Sequence, residues 1–227
     1  MNEQNSLRSR ILKPVFAFLF SLLTRVEVSG VENIPENETY IFATNHLSAF
    51  DIPLLYSIMG NDRIRAWVAD KYQFHPFFGP FTRLGNPIFV NRGEVDRNAL
   101  DAAVDSLRDG YIFGLAPEGT RSRTGTLLRG KTGIAYLADK SDAPILLCAI
   151  AGSENISRDL PRLRRPRLTV TFAKPFHLPP LDPDNRASSM RRNTDEVMCR
   201  IAAMLPEKYH GYYADHPRLN ELLEESD

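Results

Sequence analysis

Short apolar runs alternate along this chain with stretches whose apolar residues recur every third or fourth position, the pattern of β-strands interleaved with amphipathic helices. Strands are expected at residues 26–30, 39–44, 64–69, 87–91, 111–116, 144–151 and 167–174, and helices at 51–59, 95–109, 130–141 and 187–205. Such alternation predicts an α/β fold, a central mixed β-sheet flanked by helices. Pro175, Pro179, Pro180 and Pro183 break the chain before the last long helix without leaving length for a second domain, and no internal repeat or low-complexity tract is visible. Residues 26–227 therefore read as a single domain.

The most apolar segment precedes that domain. Residues 11–24 include Phe16, Phe18 and Phe20, with Arg8, Arg10 and Lys13 on one side and Arg25 on the other. Only eleven residues separate Lys13 from Arg25, whereas a spanning helix needs roughly 20. No small-residue cleavage site follows, because Val26-Glu27-Val28-Ser29-Gly30 has the pattern of the first strand. A buried core helix and a helix lying in the membrane interface both remain; clustered phenylalanines and basic flanks favour the interfacial, membrane-associating helix over residues 1–25.

Composition changes this picture little. A chain of 227 residues can bury one substantial core. Lysine plus arginine and aspartate plus glutamate each total 28, so no global field points to nucleic acid, and no basic stripe interleaved with aromatics suggests base stacking. Locally, Arg158, Arg162, Arg164, Arg165 and Arg167 crowd one stretch, as a solvated loop or an attractor of anionic lipid, while Glu221, Glu224, Glu225 and Asp227 make the tail acidic. Cys148 and Cys199 are far apart and match no metal spacing, which suits reduced thiols in the cytoplasm and implies neither a disulfide framework nor a zinc site.

The candidate chemistry lies where strands end. His46 falls in the loop leaving the 39–44 strand, and Asp51 opens the following helix; ligands of open α/β sheets gather at such carboxyl ends. A neutral imidazole can take a proton from a hydroxyl at neutral pH if its tautomer and orientation are fixed, and a carboxylate on the other ring nitrogen fixes both. The ordinary alternative is an aspartate capping its helix beside an unrelated loop histidine. Glu118, Gly119, Thr120, Arg121 and Ser122 follow the 111–116 strand and offer a carboxylate, two hydroxyls and a guanidinium, either as a tight turn with an internal ion pair or as a clamp for phosphate or hydroxyl. Arg92 and Lys71 stand at the ends of two further strands. Three cations beside a histidine and two carboxylates suggest an anionic ligand.

These segments, in this order, resemble the glycerolipid acyltransferase family, and specifically its 1-acylglycerol-3-phosphate (lysophosphatidic acid) acyltransferase branch. Residues 45–51 are similar to the family's H-x-x-x-x-D block, 88–92 to its second block, Pro117-Glu118-Gly119-Thr120-Arg121-Ser122 to its third and 143–147 to its fourth, over roughly positions 26 to 175. Gly85 lies one residue further from Phe89 than the family's usual glycine, and Cys148 stands where the fourth block often has a second proline. The resemblance implies a general base at His46 oriented by Asp51, which deprotonates the free hydroxyl of a lysophospholipid. That hydroxyl attacks an acyl thioester of acyl carrier protein or coenzyme A. It further implies that Lys71, Arg92 and Arg121 hold the acceptor's phosphate, that Glu118, with Gly119 and Thr120, meets the glycerol hydroxyl or an arginine, and that no metal or other cofactor is needed. The expected acceptor is 1-acylglycerol-3-phosphate, with another lysolipid or glycerol phosphate as the alternative, and the expected place is the cytoplasmic side of a membrane, in peripheral or monotopic contact. Ser48 as a nucleophile lacks the Gly-x-Ser-x-Gly setting.

A reading of another class rests on Gly125-Thr126-Leu127-Leu128-Arg129-Gly130-Lys131-Thr132, which satisfies the phosphate-loop pattern letter for letter. Residues 117–124 intervene between strand and loop, and Leu127-Leu128 put bulk where glycine-rich backbone should curl around phosphate. A nucleotide-binding protein is therefore disfavoured, as is a catalytically silent lipid-binding module, since His46, Asp51 and Glu118 are all present.

Overall fold

A computed structural model describes residues 3–61, 63–69, 87–90 and 97–225. In chain order the elements are α1 (Glu3–Leu23), β1 (Arg25–Ser29), β2 (Ile41–Thr44), α2 (Asp51–Met59), β3 (Ile64–Ala69), β4 (Ile88–Val90) and α3 (Arg97–Arg108). There follow β5 (Ile112–Leu115), α4 (Gly133–Ser141), β6 (Ile145–Ala151), the short α5 (Ile156–Asp159), β7 (Arg167–Phe172), α6 (Arg186–Ala203) and α7 (Pro217–Glu224). The seven strands form one sheet in the order β1-β7-β6-β2-β5-β3-β4. All neighbours are parallel except β6 and β7. This is the expected mixed sheet, and β2, β3, β4, β5 and β6 all end at one edge.

The central strands are apolar on both faces because both are covered, as buried strands must be. On one face Tyr40, Phe42, Leu146, Cys148, Ile150, Val170 and Phe172 pack with Phe20 of α1 and Leu54 and Leu55 of α2. On the other, Ile41, Ala43, Phe113, Ile145 and Leu147 meet Ala103, Val104 and Leu107 of α3, Ile134 and Leu137 of α4, and Val197, Met198 and Ile201 of α6. The spacing within α3 and α6 puts these residues on one stripe, which is why those segments form helices against the sheet.

Three elements differ from expectation, the first being the short α5, a single turn too brief to show an apolar stripe. The helix expected from residue 130 begins at Gly133, because the preceding backbone is committed elsewhere: Gly130 N–H donates to Tyr213 Oη at 3.0 Å, and Lys131 N–H to the Pro117 carbonyl at 2.7 Å. The acidic tail folds as α7, whose Leu219 and Leu222 join the core while Arg218 bonds Glu196 at 2.6 Å and Glu221 at 2.8 Å. The apolar pair recurs at helical spacing beneath the tail's charges, and Arg218 offsets part of that charge through Glu221 and Glu225.

Candidate active site

Thr44 ends β2, and the next residue anchors the turn. Asn45 is fully buried; its amide oxygen accepts from Ile150 N–H, and its amide nitrogen donates to the Ile150 carbonyl, each at 2.8 Å. This side-chain clasp replaces a ladder rung just where β2 leaves β6. His46 follows with its side chain 21% exposed, and its Nδ1 lies 2.8 Å from Asp51 Oδ2. The same oxygen accepts from the backbone N–H groups of Leu47 and Ser48, both at 2.8 Å.

Asp51 therefore turns back from its helix. It is 1% exposed, and its carboxylate holds the incoming turn and the imidazole instead of capping α2, whose N-cap has no side-chain hydrogen bond. An ionised carboxylate only accepts, so Nδ1 carries the hydrogen and Nε2 of the neutral ring keeps its lone pair. Such an imidazole is equipped to take a proton from a hydroxyl. Ser48 Oγ accepts from Phe50 N–H within the same turn, a structural place rather than a nucleophile's.

The loop after β5 is stitched to this turn. Glu118, 2% exposed, accepts from His46 N–H through Oε1 at 3.0 Å and from Leu128 N–H through Oε2 at 2.9 Å. Ser122 N–H donates in turn to the His46 carbonyl at 2.8 Å. Sequence reading expects Glu118 to meet a glycerol hydroxyl or an arginine; here both its oxygens instead hold backbone, so it braces the loop that carries His46. Burial pushes its carboxyl above the usual carboxylate range, against the pull of the Leu128 and His46 N–H groups.

A carboxyl raised in the fold binds its proton more tightly folded than unfolded. Its contribution is complete below the ordinary value and is lost as pH rises through the raised one. Glu118→Gln should flatten that limb of the stability curve. It should also cost about 1–3 kcal/mol, because its NH2 group faces a buried N–H. Urea midpoints of both proteins from about pH 4 to about pH 8 measure this; equal slopes would count against it.

Gly119, Thr120 and Arg121 are exposed at the same edge. Gly119 has φ +68°, the left-handed conformation that the turn reserves for glycine, with the flexible Lys131 side chain lying over it. Arg121 and Arg123 join Ser48, Ser122, Glu154 and Ser157 around an open cleft of about 380 Å³. Lys71 and Arg92 lie outside the described residues, as does Gly85, although β3 and β4 end at this edge. Among the described residues no three His, Cys, Asp or Glu side chains are grouped to hold a metal ion.

The phosphate-loop reading fails on backbone grounds. Leu127 N–H donates to the Tyr209 carbonyl at 2.8 Å, Leu128 N–H to Glu118, Gly130 N–H to Tyr213 Oη and Lys131 N–H to the Pro117 carbonyl. The amides that would cradle a phosphate are occupied by protein acceptors.

The Acyltransferase family profile matches residues 25–151, more than half of the chain. The chain belongs to the Acyltransferase family. A relative, the 1-acyl-sn-glycerol-3-phosphate acyltransferase of Borreliella burgdorferi, is 31% identical over 134 residues, covering 58% of this chain and 53% of that protein. The mouse (Mus musculus) 1-acyl-sn-glycerol-3-phosphate acyltransferase alpha is 25% identical over 189 residues, covering 81% and 65%. The crystal structure of the Thermotoga maritima 1-acyl-sn-glycerophosphate (LPA) acyltransferase, PlsC, superposes with a TM-score of 0.65 at 22% identity, covering 100% of this chain and 84% of that one. The chain spans about half the length of the curated relatives it matches.

The Acyltransferase match ends at Ala151, yet site residues lie beyond it. Tyr209 Oη donates to Glu154 Oε1 at 2.9 Å and accepts from Gly152 N–H at 3.1 Å, while the Tyr209 and Tyr213 bonds to residues 127 and 130 hold the loop after β5. Neither tyrosine nor Glu154 carries a signal in the sequence, since these partners lie 55 or more positions away. Asn45 had one: a buried amide at a strand end needs partners.

Proposed function

We propose that the protein moves a fatty acyl group from an acyl thioester, carried by acyl carrier protein or coenzyme A, to the free hydroxyl of a lysophospholipid, giving phosphatidic acid when the acceptor is 1-acylglycerol-3-phosphate. The observation that carries this reading is the His46–Asp51 pair at 2.8 Å, its imidazole part-exposed at the edge where β2 ends; the names of the curated relatives support the choice of acceptor.

His46 Nε2 takes the hydroxyl proton as the oxygen attacks the thioester carbonyl. The new C–O bond forms, the C–S bond breaks, and the imidazolium returns its proton to the departing thiolate. Asp51 stabilises that imidazolium. A thioester is already activated, so the step needs no covalent acyl-enzyme, and the protein works mainly by placing two substrates. Arg121, with Lys71 and Arg92, takes the acceptor's phosphate, Thr120 lies beside it, and Glu118 acts through the backbone of His46.

The site would work at a membrane surface, on the cytoplasmic side. No helix among the described residues is long and apolar enough to cross a bilayer. Yet α1 exposes Ile11, Val15, Phe18, Leu19 and Leu22 along one stripe, Phe18 being 64% exposed, as expected of a helix lying in the interface. Purified protein should convert lysophosphatidic acid and at least one acyl thioester, drawn from a panel of carriers and chain lengths, into a product with the mass of phosphatidic acid. Turnover confined to another lysolipid or to glycerol phosphate would move the acceptor assignment, and no turnover with any acceptor would sink the reading.

A further inference from the structure

The arginine-rich stretch forms an ordered tip beside α1. After α5, Leu163 N–H donates to the Leu160 carbonyl at 2.9 Å and Arg164 N–H to the Asp159 carbonyl at 3.1 Å, closing a helix-terminal turn. Leu163 occupies its left-handed position with φ +55° and is 96% exposed. Glycine or asparagine suits that backbone, and a polar residue suits that exposure; leucine suits neither, so it calls for an apolar partner outside the chain.

The charges around it are unevenly matched. Arg158 pairs with Asp159 and Arg167 with Glu27, both at 2.8 Å. Arg162 and Arg164, which flank Leu163, have no direct carboxylate partner among the described residues, although both feel Asp159. Arg165 serves structure: its Nη2 donates to the Ser21 and Thr24 carbonyls at 2.5 and 2.7 Å, tying the turn to the end of α1, while Arg25 N–H bonds the Pro166 carbonyl at 2.9 Å. The turn is thus anchored to the end of α1.

The turn lies at the edge that carries His46. β6 ends there in parallel with β2, the chain turns through residues 152–166, and β7 returns antiparallel with Thr169 opposite Ala151. The last turns of α1 reach the same edge, where Arg25 aligns with Arg167. Phe50 and Ile52, both exposed, follow the His46 turn directly.

We propose that the 158–167 turn is a second membrane-docking element, in which Leu163 inserts among lipid chains while Arg162 and Arg164 hold anionic headgroups, setting the edge that bears His46 against a negatively charged bilayer. It rests on the membrane placement proposed above and adds a second basic contact with anionic lipid to the one that the flanks of α1 offer. A single apolar insertion binds weakly, and an adjacent basic group makes the attachment firm and dependent on anionic lipid. An acidic protein partner would match the arginines but leaves the exposed leucine and the neighbouring apolar stripe unexplained.

The test is vesicle sedimentation of the full chain, with turnover on different acyl thioesters measured separately. Vesicles are phosphatidylcholine alone, or phosphatidylcholine with about a third phosphatidylglycerol, at low and high salt. Arg162→Glu with Arg164→Glu should lower partitioning onto the anionic vesicles by about 30-fold and leave neutral vesicles nearly unaffected. Leu163→Gly should weaken binding to both by about 10-fold while the thermal midpoint stays level or rises, because glycine relaxes the left-handed backbone. A merely structural leucine would not separate those two readouts. Unchanged partitioning in both variants, with a large loss in Phe18→Asp, would overturn the turn's role and spare that of α1; failure of wild type to bind any vesicle would overturn both. Loss of turnover only with a carrier-protein thioester, with vesicle binding intact, would assign the patch to an acidic protein instead.

Discussion

His46→Ala is expected to lower acyl transfer by roughly 1,000-fold while the protein stays folded. The second half of that statement comes from what His46 contributes without its ring. Its N–H bonds Glu118, and its carbonyl receives Ser122 N–H; both are backbone groups that alanine keeps. The ring is part-exposed, so its removal opens no deep cavity. Initial rates of phosphatidic acid formation and urea midpoints measure the two effects separately, and a rate within tenfold of wild type would remove the proposed base. If the midpoint also fell sharply, the loss of rate would no longer report on proton transfer.

Asp51 should behave differently in its two simplest variants. In Asp51→Asn the amide oxygen can stand where Oδ2 is, keeping His46 Nδ1, Leu47 N–H and Ser48 N–H as donors. The new NH2 then takes the place of Oδ1, which is buried without a hydrogen-bond partner among the described residues. Geometry survives and the charge does not, so the imidazolium loses its counter-ion and turnover should drop on the order of 100-fold with modest loss of stability. Asp51→Ala strips the acceptor from two buried amides, each worth about 1–3 kcal/mol when left unmet. It should cost about 3–5 kcal/mol in addition to activity. The comparison is decided by urea midpoints and rates measured on the same preparations; equal destabilisation by both variants would show that the carboxylate's charge, not its hydrogen-bonding shape, holds the turn.

How much of this was legible in the sequence follows from how local each signal is. The strands are short apolar runs buried on both faces, and the helices α3 and α6 have regular stripes, so burial alone writes their pattern. The His46–Asp51 contact was legible because five residues across a strand-to-helix turn can close only a few ways. The bracing bonds of Glu118 are not written in the sequence, since nothing in Pro117-Glu118-Gly119-Thr120 says that a carboxylate will face two amides from segments 72 and 10 positions away. Tyr209 and Tyr213 were invisible for the same reason. Their partners at residues 127, 130, 152 and 154 are brought near only once the tail has wrapped the sheet.

The clasp between Asn45 and Ile150 has a practical consequence for redesign. It fixes the start of the histidine turn to the middle of the sheet, whereas Glu154 and Ser157, which also line the cleft, stand on the turn and short helix after β6. The β5 loop with Arg123 is stitched to the histidine turn through Ser122, so Glu154 and Ser157 are the part of the lining held apart from it. If the proposed acceptor site is this cleft, libraries confined to positions 154 and 157 should change acceptor preference while the His46 turn keeps its place.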